Sequence, residues 1–288
     1  MTEPELYHFL IREADGSARK IAYWSWGNKA APKVLFCVHG MTRNGRDFDF
    51  LARHFGDDYR IICPDVAGRG KSDWLKDKSG YHNFTYAADM LRLTQLLKLP
   101  EIYWLGTSMG GLIGILIAAS QPGLIKKMAL NDIGPFIPKS ALKRIAEYTG
   151  QNPVFPDLEA AKKYFRAIYA PWGVKNDEDL EHMMTYSLVG GAGELTIGND
   201  PGIGANFRDE KGDLKELPDF DLWEFWDKIT CPVLVLRGET SDIFPKEVAE
   251  KMRDRGPKAK VIEFPGIGHA PSLMEESQVR VLTEWFNA

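Results

Sequence analysis

The sequence predicts an α/β protein: an eight-stranded, mostly parallel sheet with an inserted, mainly helical cap. Three observations carry that expectation. Apolar, strand-like runs alternate with helical patterns over most of the 288 residues. Most runs are continuously apolar rather than alternating, as strands covered on both faces must be. One stretch, from about 135 to 217, breaks this rhythm and holds helical patterns without a buried strand.

The first two runs, "LYHFLI" from Leu6 and "KIAYWSW" from Lys20, are split by the turn-forming "EADGSA" and read as an edge hairpin. "KVLFCVHG" from Lys33 and "YRIICPDVA" from Tyr59 read as the first buried parallel strands. A helix is expected over "FTYAADMLRLTQLLKL", with Phe84, Ala87, Ala88, Leu91 and Leu97 on one stripe and Pro100 as its stop. "IYWLG" from Ile102 is the next strand, followed by a helix after Ser108 and a strand at "KKMALN" from Lys126. Residues 135–217 are assigned to the cap, because structureless loops of that length are uncommon in compact domains. Of its aromatic and methionine residues, Phe136, Tyr164, Phe165, Tyr169, Trp172, Met183, Met184 and Tyr186, most are expected to pack the cap and a minority to line a pocket. The core resumes with strands at "PVLVLRG" from Pro232 and "KVIEFPG" from Lys260, and helices over 246–255 and 271–286. Residues 1–134 and 218–288 thus form one core domain.

Composition excludes some classes. A net charge of -4 and no long basic run give no reason to expect a nucleic-acid partner. No apolar run reaches the ~18 residues of a membrane span, and the N-terminal stretch does not read as a secretory signal. The three cysteines, Cys37, Cys63 and Cys231, lack metal or disulfide spacing and are expected as buried thiols in the cytoplasm. No metal and no cofactor are expected.

Chemistry concentrates in a few places. Gly106-Thr107-Ser108-Met109-Gly110 matches G-x-S-x-G between a strand and a helix. That context puts a serine hydroxyl on a strained turn, with the helix dipole and N–H groups facing a developing oxyanion. Of six histidines, only His269 lies in a loop after a late strand that can reach the carboxyl edge of the sheet. Asp242, after the strand "PVLVL", is the favoured carboxylate to hold its imidazole; Asp132, at the end of "KKMALN", is the alternative, and Glu239 is a bystander or stand-in. Backbone N–H groups of Met41 and Met109 are the expected oxyanion donors, with His39 bracing the loop before Gly40. "GRGKSD" contains the tail of a phosphate-binding loop, but Asp65 stands where its first glycine belongs, so nucleotide binding is rejected. The glycines at 190, 191 and 193 follow a helix and make no dinucleotide fingerprint.

Taken together, "HGMT" at His39, "DVAGRGKSD" at Asp65, "GTSMGG" at Gly106, "GETSD" at Gly238 and "GIGHAP" at Gly266 resemble the α/β-hydrolase superfamily over nearly the whole chain. The resemblance implies that Asp65–Ser72 is a structural loop near the oxyanion edge and that the insertion is a lid. Serine at position 108 argues against the dehalogenases and epoxide hydrolases of this fold, which use aspartate there. Carboxylesterases, carbon–carbon bond hydrolases, lactonases and perhydrolases look alike at this level. The expected activity is serine carboxylesterase action on a small-molecule ester, with a carbon–carbon hydrolase or lactonase as the alternative and a ligand-sensing member as a further one.

Overall fold

The computed structural model describes residues 3–13, 15–191 and 193–288. Eight strands form one sheet: β1 (Glu5–Arg12), β2 (Ala18–Gly27), β3 (Lys33–Val38), β4 (Tyr59–Pro64), β5 (Ile102–Thr107), β6 (Ile125–Asn131), β7 (Val233–Gly238) and β8 (Lys260–Phe264). Their spatial order is β1-β2-β4-β3-β5-β6-β7-β8. Only β2 runs against its neighbours; every other pairing is parallel. The sheet reverses direction of growth between β3 and β5, which opens a crevice at their carboxyl ends where ligands bind in open α/β sheets.

The continuous apolar runs fill both faces of this sheet. Phe36, Val38, Ile62, Trp104, Leu130 and Val235 pack into one core. Their chain neighbours Leu35, Cys37, Cys63, Leu105, Ala129 and Leu236 pack into the other. Each fully buried branched or aromatic side chain contributes about 1.5–3 kcal/mol by leaving water, so the central strands anchor the domain. Cys37, Cys63 and Cys231 are buried free thiols.

The α-helices longer than two turns are α1 (Asn83–Leu96), α2 (Met109–Ser120), α3 (Lys139–Tyr148), α4 (Leu158–Tyr169), α5 (Asp177–Thr185), α6 (Lys246–Asp254) and α7 (Glu276–Asn287). The buried face of α1 is Tyr86, Ala87, Met90, Leu93 and Thr94, with Asp89 among them. Of the expected stripe only Ala87 is buried; Phe84 is 58% exposed. The helix is turned because Asp89 faces inward to take a bidentate contact from Arg19 of β2, at 2.8 and 2.5 Å. The last helix begins at Glu276 rather than near Pro271, since the residues before it form the loop that carries His269.

Between β6 and β7 lie α3, α4 and α5, as the helical patterns suggest, but also two small ladders. Val154–Phe155, Glu194–Ile197 and Leu188–Gly191 form a three-stranded antiparallel sheet. Phe136–Ile137 pairs with Phe220–Asp221 where the excursion leaves and rejoins the core. These strands are too short and too exposed to show a hydrophobic period, and Gly190, at φ 113°, provides one of their bends. Phe155, Phe165, Tyr169, Leu180, Met183 and Met184 form a separate core here. Among the described residues no helix is long and apolar enough to cross a membrane.

Asp89→Ala leaves the buried Arg19 guanidinium, among the described residues, with Glu13 alone as an acidic partner. It is expected to lower the unfolding free energy by about 3 kcal/mol in urea titration. A loss below about 1 kcal/mol would show that the pair is not what turns α1.

Candidate active site

Ser108 sits at the tip of the turn from β5 into α2, with φ 49° and ψ −113°. L-residues rarely occupy this region, and holding one there costs on the order of 1–3 kcal/mol. The glycines of the motif make the turn possible. A Cβ on Gly106 would lie 2.3 Å from the Gly110 carbonyl, and one on Gly110 would lie 1.9 Å from the Val38 carbonyl oxygen. The helix is therefore laid directly onto β5 and β3, and the serine hydroxyl is lifted off the sheet edge.

His269 reaches this hydroxyl from the loop after β8. The Ser108 Oγ and His269 Nε2 atoms are 2.9 Å apart. On the other side of the ring, Nδ1 lies 2.7 Å from Asp132 Oδ2. The carboxylate at His269 is thus Asp132, and the expectation for Asp242 is corrected. Asp242 accepts from Arg144 Nη2 at 2.7 Å with its side chain 53% exposed. The strand order explains the difference. Asp132 ends the turn after β6, immediately beside β5, whereas Asp242 lies one strand further out. The end of β7 and the loop after it supply donors to the acid instead: Gly238 N–H at 2.7 Å to Oδ1 and Ser241 Oγ–H at 2.5 Å to Oδ2. These contacts hold a fully buried carboxylate. Glu239 is a bystander that accepts from Gly266 N–H at 2.8 Å in the approach to the histidine loop.

The loop after β3 faces the serine, with the Gly40 Cβ position 3.8 Å from Ser108 Cβ. Among the described residues, neither the Met41 nor the Met109 N–H has an acceptor in the protein. His39 is fully buried and braces this loop: its Nδ1–H donates to Gly40 O at 2.7 Å, and Nε2 accepts from Val66 N–H at 2.9 Å. Burial pushes its pKa down to about 3, so the ring is neutral. The Asp65–Ser72 stretch is a strut. Asp65 accepts from Gly45 N–H and Lys71 N–H at 2.7 and 2.8 Å, and the Ser72 hydroxyl donates to Asp65 O.

Three further residues fasten the site and carry no motif to reveal them. Asn131 donates from Nδ2 to Thr107 Oγ1 and to Pro271 O, tying β6 to β5 and the histidine loop. Arg43 donates to Asp47 and to Ser187 Oγ, joining the loop after β3 to the excursion. Pro171 accepts from Gly268 N–H at 2.7 Å, beside the histidine itself.

A cavity of about 460 Å³ opens over Ser108 and His269, walled by Met41, Leu112, Ile145, Phe207 and Leu222 among others. An adjoining cavity of about 420 Å³ also reaches His269 and is bordered by Arg144, Gln151, Asn152, Thr240 and Asp242. Trp172 borders both; Met183 lines the first, and Tyr164, Phe165 and Tyr169 the second. Among the described residues no cluster of His, Cys, Asp and Glu could hold a metal ion. The arrangement can polarise a hydroxyl, hold the proton-accepting imidazole in one tautomer, and offer two free N–H groups to a developing anion.

The family whose model matches residues 33–275 is described as the α/β hydrolase fold. The 3-hydroxybutyrate-oligomer hydrolase of Cupriavidus necator is 38% identical over 271 residues, spanning 93% of this chain and 92% of that protein. The 2-(acetamidomethylene)succinate hydrolase of Mesorhizobium japonicum is 26% identical and spans 98% and 96%. The solved structure of an α/β hydrolase from Novosphingobium aromaticivorans superposes with a TM-score of 0.86 at 32% identity, covering 100% of this chain and 99% of that one.

Gly110→Ala is expected to destabilise the fold by about 3 kcal/mol or more, because backbone and not a mobile side chain blocks the added methyl. Urea unfolding measures this, and a change within about 0.5 kcal/mol would contradict the close approach of α2 to β3.

Proposed function

The chain belongs to the α/β-hydrolase fold family, and from that premise we propose that it is a serine hydrolase cleaving carboxylic esters through an acyl-enzyme. The observation that carries this is the unbroken line from Ser108 Oγ through His269 to Asp132, at 2.9 and 2.7 Å. Ser108 Oγ attacks the ester carbonyl as its proton passes to His269 Nε2. Asp132 keeps the Nδ1 proton in place and stabilises the imidazolium. The carbonyl oxygen, now anionic, takes hydrogen bonds from the Met41 N–H in the loop after β3 and the Met109 N–H at the start of α2. His269 then protonates the departing alcohol. A water, deprotonated by the same imidazole, releases the acid and restores Ser108.

The preferred substrates are esters of small to medium, largely apolar acids. The two adjoining cavities are each of a size that holds a small ligand, ~300–1,000 Å³. One side of the scissile bond lies in the apolar cavity over Ser108 and the other in the more polar one beyond His269. Residues 135–217 act as the cap over this site. Oligomers of 3-hydroxybutyrate are the first class to test, since the relative that carries that name aligns along nearly its full length. Three buried free thiols suit a reducing compartment, and the cytoplasm is the proposed location.

Ser108→Ala is expected to remain folded and to lose turnover of p-nitrophenyl butyrate by roughly 10⁴–10⁶-fold. Turnover within tenfold of the parent would remove the serine from the reaction. Asp132→Asn should lower kcat by about 10⁴-fold through the wrong histidine tautomer, while Asp242→Asn changes it by less than about threefold. The reverse ranking would return the acid's role to Asp242. Chromatography of a panel holding 3-hydroxybutyrate dimer and trimer, short and long simple esters, a lactone and a vinylogous diketone decides the bond and the acyl class.

A further inference from the structure

We infer that Arg69 is a positioning residue for the oxyanion hole: it grips both donor residues and sets an unneutralised positive charge beside them. The inference rests on the reading of Met41 and Met109 as the donors.

Five arginines are buried among the described residues: Arg19, Arg43, Arg46, Arg69 and Arg237. Four of them pair with a carboxylate, respectively Asp89, Asp47, Asp49 and Glu263. Arg69, 1% exposed, forms no such pair among the described residues. Its acceptors are all neutral. Nε donates to Met41 O at 2.8 Å, and Nη1 to Ala67 O at 2.8 Å and Tyr86 Oη at 2.9 Å. Nη2 points to Met109 Sδ at 3.7 Å. The guanidinium lies over the rings of Tyr81 and Tyr86. Nearby acids are committed elsewhere: Asp65 to the N–H groups of Gly45 and Lys71, and Asp200 to Lys78 and the Tyr81 hydroxyl.

A buried cation without a counterion costs the folded state stability, and an apolar side chain of similar shape would serve packing better. What the cation can do is favour a state that brings in negative charge. Arg69 borders the cavity that holds Ser108. A neutral ester gains little from it. The tetrahedral oxyanion gains more, because the attraction appears only as the charge develops. The contacts to Met41 O and Met109 Sδ also fix the two residues whose N–H groups receive that oxygen. The stretch "GRGKSD", whose lysine and serine resemble a phosphate-binding tail, thus acquires a role through its arginine.

The test uses Arg69→Lys, which keeps the charge, Arg69→Gln, which keeps donors without charge, and Arg69→Met, which keeps neither. Three quantities are read: kcat and KM on p-nitrophenyl butyrate, inhibition by butylboronic acid, and inhibition by neutral hexanol. Ser108 Oγ adds to boron, its proton passes to His269, and the adduct becomes a tetrahedral anion that mimics the oxyanion. Gln and Met are expected to lower kcat about ten- to hundred-fold and to weaken the boronic acid by a similar factor, with KM and hexanol inhibition within about threefold. Lys should stay within about fivefold of the parent in kcat and in boronic-acid inhibition. If Arg69→Met fails to melt cooperatively, Gln and Lys carry the comparison. The inference is overturned if Gln keeps kcat within threefold, if Lys is as impaired as Gln, or if boronic acid and hexanol weaken equally. A parent protein that turns over no ester and whose Ser108 resists a fluorophosphonate would instead defeat the hydrolase proposal.

Discussion

The contact on which the site depends is the seat of Gly110 against the Val38 carbonyl. Because no side chain intervenes, α2 starts almost on top of β3 and β5. Three consequences follow from that one approach. Ser108 is forced to a positive φ and projects from the sheet edge. The start of α2 faces the loop after β3, where the proposed donors of the two elements would meet. The apolar helix that follows, buried over ten residues, supplies the packing that holds the strained turn in place.

The strand order then decides which carboxylate meets the histidine. From sequence, both Asp132 and Asp242 stand at strand ends on the same edge of the sheet. Chain order favours the later one, but distance across a sheet is set by pairing. β6 is paired to β5, whereas β7 lies between β6 and β8, so an acid after β6 is one strand-spacing nearer to Ser108. A loop's composition does not reveal whether it delivers a carboxylate or donors to someone else's carboxylate. "GETSD" reads as an acid-bearing loop, yet its Ser241 hydroxyl and the Gly238 N–H serve Asp132.

The legible parts of the chain are those where a local pattern has one physical explanation. Short apolar runs bounded by turn signals read as strands, and the eight read this way are the eight strands of the sheet. G-x-S-x-G reads well because the steric demand falls on residues adjacent in sequence. Two kinds of feature escaped. Short ladders such as Val154–Phe155 with Glu194–Ile197 hold too few residues to show a period. The face of α1 follows an ion pair with a strand 70 residues away, which apolar spacing cannot report: Phe84, on the expected apolar stripe, is exposed, while Asp89 is buried.

Buried polar groups tie this site together where its loops are irregular. Four loops meet at Ser108, and none is held to the next by regular ladders alone. His39 joins the loop after β3 to the Asp65 loop, Arg69 binds that loop to Met41 and Met109, Asn131 pins the histidine loop, and Arg43 reaches the excursion. Each of these side chains is at least nine-tenths buried. In a low-dielectric setting a hydrogen bond made there is expensive to break, since the freed group has no water to turn to. The apolar cores fix the sheet to which the loops are attached, but the relative positions of Ser108, His269 and the free N–H groups are fixed by these few polar ties. Substitutions that respect hydrophobicity can therefore preserve the fold while loosening the geometry the chemistry requires.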